Sequence, residues 1–377
     1  MAASLNLVLV VSSLGCGGAE RVVQLLSGGF VKRGHRVTVI TTTERDDFFP
    51  LADKVERVRL NVFGRERQGP ERRPAAISAL WHAAKGLPAL REIIRHASPD
   101  FIITFGDEIN VLVLAVLFSM RRKVVATEHV DPRWHRQGPV LQFLRRRLYP
   151  SAHCLVSVSH GVDAGFHWLP RSRRTVIHNP VVLQRESESQ GGGSRSFGRQ
   201  YIVAMGRFVR QKGFDLLLDA FSNVSRAYPQ WALVLLGDGP EREELVRKAQ
   251  SLEIGDSVHF AGAVSDPATY LSHAAFFVMS SRFEGFGNVL VEAMACGLPV
   301  VSFDCPSGPA DIIDDGRNGL LVAPEDTAAL AQAMVRMIAD ETMRGNMARQ
   351  AQHDALRFDL DSTLDAWQKQ VFDRDRV

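Results

Sequence analysis

Residues 201–213 read Tyr201-Ile-Val-Ala-Met-Gly-Arg-Phe-Val-Arg-Gln-Lys-Gly213, and this stretch indicates the fold class most clearly. Its first five residues are apolar without alternation, which predicts a strand buried on both faces. Gly206 ends the strand, a charged loop follows, and apolar residues at helical spacing predict a helix from Phe214 to Ser222. A strand, a loop and a covering helix in this order form one unit of a parallel α/β sheet.

The same alternation of strand and helix runs through both halves of the chain, so the sequence predicts an α/β protein. With 377 residues, the chain is long enough for two domains that each bury a core. Strands are predicted at residues 5–12, 36–42, 101–105, 123–127, 154–158, 201–205, 232–236, 258–261, 276–279 and 299–303. Helices of the first half are predicted at 19–33, 74–96, 109–119 and 140–148.

A polar stretch with three consecutive glycines, Gly191 to Gly193, marks the expected domain boundary, because it offers no apolar residue to a core. The last segment carries apolar residues at helical spacing, at positions 360, 364, 367 and 371. The expected division is a first domain at 1–182, a flexible segment at 183–199, a second domain at 200–355 and a C-terminal helix at 356–377.

Two glutamates flank a glycine-rich turn in Glu284-Gly-Phe-Gly-Asn-Val-Leu-Val-Glu292. The turn leads into a short apolar helix, so one carboxylate stands at the start of the helix and the other two turns along it. The backbone N–H groups of residues 287–289 fall in the first helical turn, where unpaired donors and the helix dipole favour an anion. An elongated ligand with a central diphosphate, such as a nucleotide sugar, fits this spacing, and Arg207 and Lys212 supply complementary charge.

A glycine loop near the N-terminus, Leu14-Gly-Cys-Gly-Gly-Ala-Glu20, completes a set of three motifs. The glycine loop, the Arg207 and Lys212 pair and the Glu-x7-Glu signature resemble, in this order, the retaining glycosyltransferases of family four. The resemblance covers nearly the whole chain. It implies a GT-B fold, with two Rossmann-like domains whose parallel sheets face a central cleft and a C-terminal helix that returns to the first domain.

The resemblance also implies roles for individual residues. His129 follows a predicted strand in Thr127-Glu-His129 and corresponds to a histidine that contacts the donor sugar in family members; the residues expected to take part in catalysis are His129, Glu284, Arg207 and Lys212. Glu292 is expected to bind the ribose hydroxyls and Val264 to border the base. The residues expected to bind the donor are Gly17, Gly18, Gly206, Val264, Gly285, Phe286, Gly287, Asn288, Val289 and Glu292.

The segment Thr127-Glu-His129 and the loop from Cys305 to Ile313 look like those of members that extend polyprenyl-diphosphate-linked oligosaccharides or polysaccharide repeat units. Such members mostly use UDP-hexoses or UDP-N-acetylhexosamines. Because the family retains the anomeric configuration, an α-linked donor is expected to give an α-linked product. A GT-B-like protein that binds a nucleotide or glycan without catalysis is an alternative, and so is a nucleotide-sugar epimerase. A nicotinamide enzyme is disfavoured, because Glu20 stands where the dinucleotide fingerprint has its third glycine.

Neither a metal nor a cofactor is expected, apart from the nucleotide sugar as substrate. The aspartates at 314–315 and at 359 and 361 lack a partner cluster in the sequence, and the four cysteines lack metal-ligand spacing. Scattered cysteines of this kind indicate reduced thiols in a cytoplasmic protein. Arg207, Lys212 and the helix terminus would then neutralise the diphosphate with protein groups alone.

The charge is distributed unevenly along the chain. Residues 1–180 hold 26 Lys+Arg against 15 Asp+Glu, a net of +11, and the remaining residues have a net of −8, which together give +3. A basic first half indicates an anionic partner, and because no nucleic-acid motif is present, the inner face of the cell membrane is expected. Arg145, Arg146 and Arg147 are expected to contact the acceptor or the membrane, although an ordinary solvated helix explains them equally well.

Membrane attachment is therefore expected to be peripheral. The longest apolar run, Val111 to Phe118, is about half of the roughly 18 residues that a membrane span requires. The apolar run from Leu5 to Val11 lacks a basic leader and a cleavage site, so a signal peptide is not expected.

Overall fold

The computed structural model describes residues 4–15, 17–43, 47–60, 62, 76–120, 122–135, 137–181 and 200–374, with the backbone alone for 76–85. The expected flexible segment at 183–199, Cys16 and Arg121 therefore lie outside the described residues. The chain divides into two compact units, one comprising Met1–Pro180 with Leu360–Val377 and the other Val181–Asp359. Each unit contains its own parallel sheet.

The first unit is built on seven parallel strands in the order β3-β2-β1-β4-β5-β6-β7. The strands are β1 (Asn6–Val11), β2 (Arg36–Thr41), β3 (Glu56–Arg59), β4 (Phe101–Phe105), β5 (Val124–Glu128), β6 (Cys154–Ser157) and β7 (Arg174–Val176). The helices are α1 (Gly18–Lys32), α2 (Ala76–Ala97), α3 (Asp107–Leu117), α4 (Pro139–Leu148) and α5 (His160–Ala164). Strand β1 is central, and its residues Leu7 to Val10 are fully buried.

The second unit repeats this plan with six parallel strands in the order β10-β9-β8-β11-β12-β13. The strands are β8 (Tyr201–Met205), β9 (Ala232–Leu236), β10 (Val258–Gly262), β11 (Phe276–Met279), β12 (Val300–Phe303) and β13 (Gly319–Val322). The helices are α6 (Phe214–Ala227), α7 (Arg242–Ser251), α8 (Pro267–Leu271), α9 (Asn288–Ala295), α10 (Pro309–Ile312), α11 (Thr327–Ala339) and α12 (Glu341–Ala355).

The final helix, α13 (Leu360–Trp367), belongs to the first unit and packs against α1. The rings of Phe30 and Trp367 meet edge to face at 6.1 Å, and Leu364 lies so close to Gly29 that a Cβ there would stand 2.7 Å from its Cδ1. Arg33 Nη1 donates to Asp365 Oδ1 at 2.6 Å at the rim of this contact. The helical spacing of apolar residues from position 360 thus forms the buried face that attaches the chain end to the first core.

The winding of each sheet reverses once, between β1 and β4 in the first unit and between β8 and β11 in the second. Ligands of open parallel sheets bind outside the carboxyl ends of the strands at this reversal, because the two neighbouring loops leave in opposite directions and open a crevice. The loops after β8 and β11 contain residues 206–213 and 280–287. The topology therefore places two of the three sequence motifs side by side.

The predicted α/β fold with two Rossmann-like sheets is confirmed, and all ten predicted strands are present with ends within one residue of those observed. Sequence patterns missed β3, β7 and β13, which are all edge strands. Edge strands are short and tolerate charged residues, as in Glu-Arg-Val-Arg of β3, so they carry no long apolar run. Within the described residues, no helix combines the length and apolar character needed to span a membrane.

Candidate functional site

A charged pair occupies the point where the winding of the second sheet reverses. Lys212 Nζ, in the loop after β8, donates to Glu284 Oε1 at 2.6 Å, and Ser281 Oγ donates to the same oxygen at 2.6 Å. Glu284 is 6% exposed, whereas Lys212 is half-buried. The structure thus brings together two residues that the sequence analysis found in two separate motifs.

Backbone contacts hold the two loops in register. The Arg282 N–H donates to the Gln211 carbonyl at 2.8 Å, and Ser280 Oγ donates to the Lys212 carbonyl at 3.1 Å. Gly213 between the loop and α6 has a φ of +62°, and a Cβ there would lie 2.0 Å from the Ser280 carbonyl oxygen. Only glycine fits this approach, so the glycine that follows Lys212 allows the loops to meet.

A second ion pair braces the same loops. The Arg282 guanidinium donates to both carboxylate oxygens of Asp215, at 2.8 and 2.7 Å, and also to the Arg210 carbonyl. Burial disfavours the ionised form of Asp215, but the hydrogen bonds and charge of Arg282 outweigh it, so the pKa of Asp215 lies below its ordinary value. Sequence reasoning missed Arg282 and Asp215; their positions, two residues before Glu284 and in the first turn of α6, were the available signal.

The other residues of the β8 loop have distinct environments. Arg207 is exposed directly after Gly206 at the carboxyl end of β8. Gly237, after β9, passes so close that a Cβ on it would lie 1.9 Å from the Gly206 carbonyl oxygen. This close approach gives the Gly237-Asp-Gly239 sequence a structural role, because it allows the loops after β8 and β9 to pack against each other.

The expected anion-binding turn opens α9. Gly287 is the residue before the helix, with a φ of +95°, and no side chain caps the first turn. Glu292 is half-buried on the second turn, and Val264 is half-buried in the loop after β10. The expected donor-binding residues of the second unit therefore all lie beyond the carboxyl ends of β8, β10 or β11, which are Gly206, Val264, Gly285, Phe286, Gly287, Asn288, Val289 and Glu292.

His129 lies in the first unit, one residue beyond β5, with its ring stacked on Phe105 at 5.7 Å. The Thr127 hydroxyl donates to the Thr104 carbonyl at 2.7 Å and contacts His129 Nε2 at 2.9 Å. Because that hydroxyl has one proton, Nε2 must be the donor to Thr127, which leaves Nδ1 as an acceptor. Burial lowers the pKa of His129 to about 4, so the imidazole is neutral at physiological pH.

Glu128, beside His129, is the centre of a buried polar network that the sequence analysis did not identify. It accepts hydrogen bonds from the Tyr149 hydroxyl and from Asn110 Nδ2, the latter at 3.3 Å. Burial raises the pKa of Glu128 to about 7 and nearby Asp107 adds to the effect, against the hydrogen bonds and the charge of Arg145. Asn110 also accepts from the Thr104 hydroxyl at 2.6 Å, which connects the network to the residues around His129.

The three arginines of α4, which the sequence analysis treated as one group, do not share one environment. Arg145 is 5% exposed, and its guanidinium lies over the Phe166 ring at 5.9 Å. Arg146 and Arg147 are exposed. Arg145 points inward because it occupies the helical face that packs on the domain, one turn after Leu141.

The N-terminal glycine loop leads into α1 as expected. Gly17 is the residue before the helix and is extended, with a φ of −161°. A Cβ on Gly17 would lie 2.2 Å from Glu20 Oε2, so the glutamate that replaces the third fingerprint glycine folds back over the loop. Gly18 begins the helix and Gly17 precedes it, both beyond the carboxyl end of β1.

Two family models together account for most of the chain. The model described as "Glycosyltransferase Family 4" matches residues 16–185, and the model described as "Glycosyl transferases group 1" matches residues 191–354. Each model therefore coincides largely with one structural unit.

Relatives of similar length carry specific names. A Campylobacter jejuni protein named GalNAc-alpha-(1->4)-GalNAc-alpha-(1->3)-diNAcBac-PP-undecaprenol alpha-1,4-N-acetyl-D-galactosaminyltransferase is 25% identical, covering 97% of this chain and 98% of its own. The amylovoran biosynthesis glycosyltransferase AmsD of Erwinia amylovora is 26% identical over 96% of this chain and 97% of its own.

Solved structures of similar fold cover the whole length of the chain. Anabaena HepE in complex with UDP and glucose has a TM-score of 0.77 and 22% identity, over 98% of this chain and 99% of its own. Sucrose-phosphate synthase from Thermosynechococcus elongatus has a TM-score of 0.79 and 22% identity, over 97% of this chain and 99% of its own. These similarities establish the GT-B fold.

Proposed function

Because the chain is a family-4 glycosyltransferase with a GT-B fold, we propose that it transfers a hexose or N-acetylhexosamine from a UDP-sugar to a polyprenyl-diphosphate-linked glycan with retention, forming an α-glycosidic bond. The observation that supports this proposal most directly is the contact of Lys212 with Glu284 near the start of α9, where no side chain caps the helix. The names of the Campylobacter relative and the UDP complex of HepE support the acceptor class and the nucleotide.

The diphosphate would be neutralised by protein groups. Arg207, Lys212 and the first N–H groups of α9 follow the carboxyl ends of adjacent strands β8 and β11. Cleavage of the bond between sugar and diphosphate builds negative charge on the leaving oxygen. Positive groups fixed at that point stabilise the transition state more than the ground state, so no metal is needed in this proposal.

Glu284 would contact the sugar and Glu292 the nucleoside. Lys212 and Ser281 both bind Oε1 of Glu284, which orients Oε2 as an acceptor for a sugar hydroxyl. The charge of Glu284 also favours the cation that develops on the sugar ring. Glu292, on the second turn of α9, would accept hydrogen bonds from the ribose hydroxyls, with Val264 beside the base.

His129 would act as a neutral group. Its Nε2–H is engaged by Thr127, so Nδ1 is the atom that would accept a hydrogen bond from the donor sugar. A neutral imidazole does not repel the developing cation on the sugar. The departing phosphate oxygen would take the proton of the incoming hydroxyl on the same face, which gives retention.

The acceptor would hold the enzyme at the cytoplasmic face of the membrane without a membrane span. The excess of positive charge in residues 1–180, a net of +11, is suited to an anionic lipid surface and to the diphosphate of the carrier. Attachment of this kind is peripheral, and it would weaken as salt rises.

The test is an acceptor-dependent transfer assay. Purified protein is incubated with UDP-glucose, UDP-galactose, their N-acetylated analogues or GDP-mannose, with and without a short-chain polyprenyl-diphosphate glycan. We expect UDP release and product only when the acceptor is present, with an α-linkage in the product NMR spectrum. Interconversion of UDP-sugars without acceptor would identify an epimerase, and donor binding without turnover would identify a non-catalytic protein.

A further inference from the structure

Helix α4 presents apolar side chains to solvent. Val140 is 70% exposed, Phe143 64% and Leu144 36%, and with Arg147 they recur at the spacing of one helical face. The opposite face contains Leu141, Arg145 and Leu148, which are buried or half-buried. The helix therefore packs on the domain through one face and leaves an apolar face with no partner among the described residues.

Basic residues surround this face. No aspartate or glutamate occurs from residue 132 to residue 162, where Arg146 and Arg147 are exposed; Arg133 is also exposed but pairs with Asp131 at 2.7 Å. Trp134, in the loop before α4, is 54% exposed. Tryptophan, large apolar residues and arginines together are the composition of segments that lie in the interface of a bilayer.

We propose that Trp134, Val140, Phe143 and Leu144, with Arg146 and Arg147, form a docking surface for an anionic lipid bilayer, which we call the α4 outer face. The inference deepens the proposed function by naming the surface that reaches the membrane of the lipid-linked acceptor. A second copy of the chain is disfavoured as occupant, because two arginine-rich faces without acidic residues repel each other. Exposed Val, Phe and Leu side chains offer nothing to a nucleic acid backbone.

The inner face of α4 connects this surface to the candidate site. Arg145, one helical turn after Leu141, is buried. Tyr149 follows the helix, and its hydroxyl donates a hydrogen bond to Glu128 at the end of β5. Glu128 precedes His129 in the chain. A bilayer bound to the outer face would therefore hold His129 at a constant distance from the lipid surface.

The experiment is vesicle sedimentation of the full chain without donor or acceptor. Vesicles of phosphatidylcholine alone are compared with vesicles that contain one third phosphatidylglycerol, at low and high salt. We expect binding to the anionic vesicles that decreases with salt. The Val140→Gln/Phe143→Gln variant should bind at least tenfold more weakly, since it loses the apolar contact.

Arg146→Gln/Arg147→Gln should lose about fivefold affinity per arginine and most of the salt dependence. The matched controls are Leu356→Gln and Arg226→Gln, exposed residues of the second unit that should leave binding unchanged. Thermal unfolding of every variant checks that the exposed substitutions do not affect folding.

Equal binding to neutral and anionic vesicles would overturn the proposal, and so would the absence of binding. Losses of vesicle affinity in the control variants as large as those in the α4 variants would also overturn it. So would a concentration-dependent dimer that Val140→Gln/Phe143→Gln abolishes. Transfer to a water-soluble short-chain acceptor by that variant should equal that of the unchanged chain. Vesicle binding without transfer activity would refute the proposed function alone, and transfer without vesicle binding would refute the docking surface alone.

Discussion

Glu284 and Glu128 are both buried glutamates at the carboxyl end of a parallel sheet, yet their surroundings differ. Glu284 is paired with the Lys212 ammonium at 2.6 Å. Glu128 is hydrogen-bonded to neutral groups, and burial raises its pKa to about 7, while burial lowers the pKa of its neighbour His129 to about 4. The second unit thus places a charged pair where a diphosphate would bind, whereas burial in the first unit favours the neutral forms of Glu128 and His129.

Removing either member of the charged pair gives the largest expected effect. Glu284→Ala and Lys212→Ala should each lower kcat/KM about thirtyfold, corresponding to about 2 kcal/mol for a charge-assisted hydrogen bond. Since the two side chains touch, the double variant should lose much less than the product of the single losses, measured as a double-mutant cycle. Lys248→Ala, which breaks a similar pair with Asp219 at 2.7 Å away from the loops, should remain active.

If the double variant instead loses the full product of the two single losses, Glu284 and Lys212 do not act as a pair. In that case the contact would have no catalytic role, and each residue would act on a different part of the donor.

Glu128→Gln tests, through the pH dependence of stability, whether burial raises the pKa of Glu128. The native pKa of about 7 exceeds the ordinary value of 4.5, so the unfolded chain loses the proton first and stability falls as pH rises from 4.5 to 7. An uncharged glutamine avoids this loss. Thermal unfolding should show the variant more stable by about 3 kcal/mol at pH 8 and nearly equal at pH 4.

The exposed Glu243→Gln provides the control, because its side chain is 91% exposed and its replacement should change stability little at either pH. A Glu128→Gln difference of the same size at both pH values would mean that Glu128 is ionised in the native protein.

Arg282→Lys tests whether the contact of Arg282 with Asp215 positions the charged pair of the second unit. Lysine lacks the two parallel nitrogens with which Arg282 binds the two oxygens of Asp215, so the loops of Lys212 and Glu284 should lose part of their mutual alignment. We expect about a fivefold decrease in kcat/KM, with Asp215→Asn similar and the double variant no worse. Arg317→Lys alters another arginine–aspartate pair, in which Nη2 of Arg317 donates to both oxygens of Asp354 at 2.7 Å, and should leave kinetics unchanged because this pair lies away from both loops.

The smallest expected effect is that of a chelator. If Arg207, Lys212 and the start of α9 neutralise the diphosphate, excess EDTA should leave the transfer rate unchanged. Activity that disappears in EDTA and returns with Mn²⁺ or Mg²⁺ would show that protein charge alone is insufficient in the second unit.

Much of the fold was predictable because buried parallel strands carry a strong local signal. Strands such as β8 and β9 are five-residue apolar runs, and the sequence placed both at the observed residues. The edge strands β3, β7 and β13 were missed, because a strand with one partner is stabilised by that partner more than by its own composition. The burial of Arg145 was not predicted for a similar reason, since residue type alone does not determine which helical face packs inward.

Local sequence patterns were sufficient to show that Lys212, Glu284 and His129 follow the carboxyl ends of strands, because strand, loop and helix are read from neighbouring residues. The position of β8 beside β11, and therefore the contact of Lys212 with Glu284 across 72 residues of chain, depends on the tertiary structure. The same holds for the burial that raises the pKa of Glu128 and lowers that of His129. Strand order and burial arise from packing between distant segments, which a local pattern does not encode.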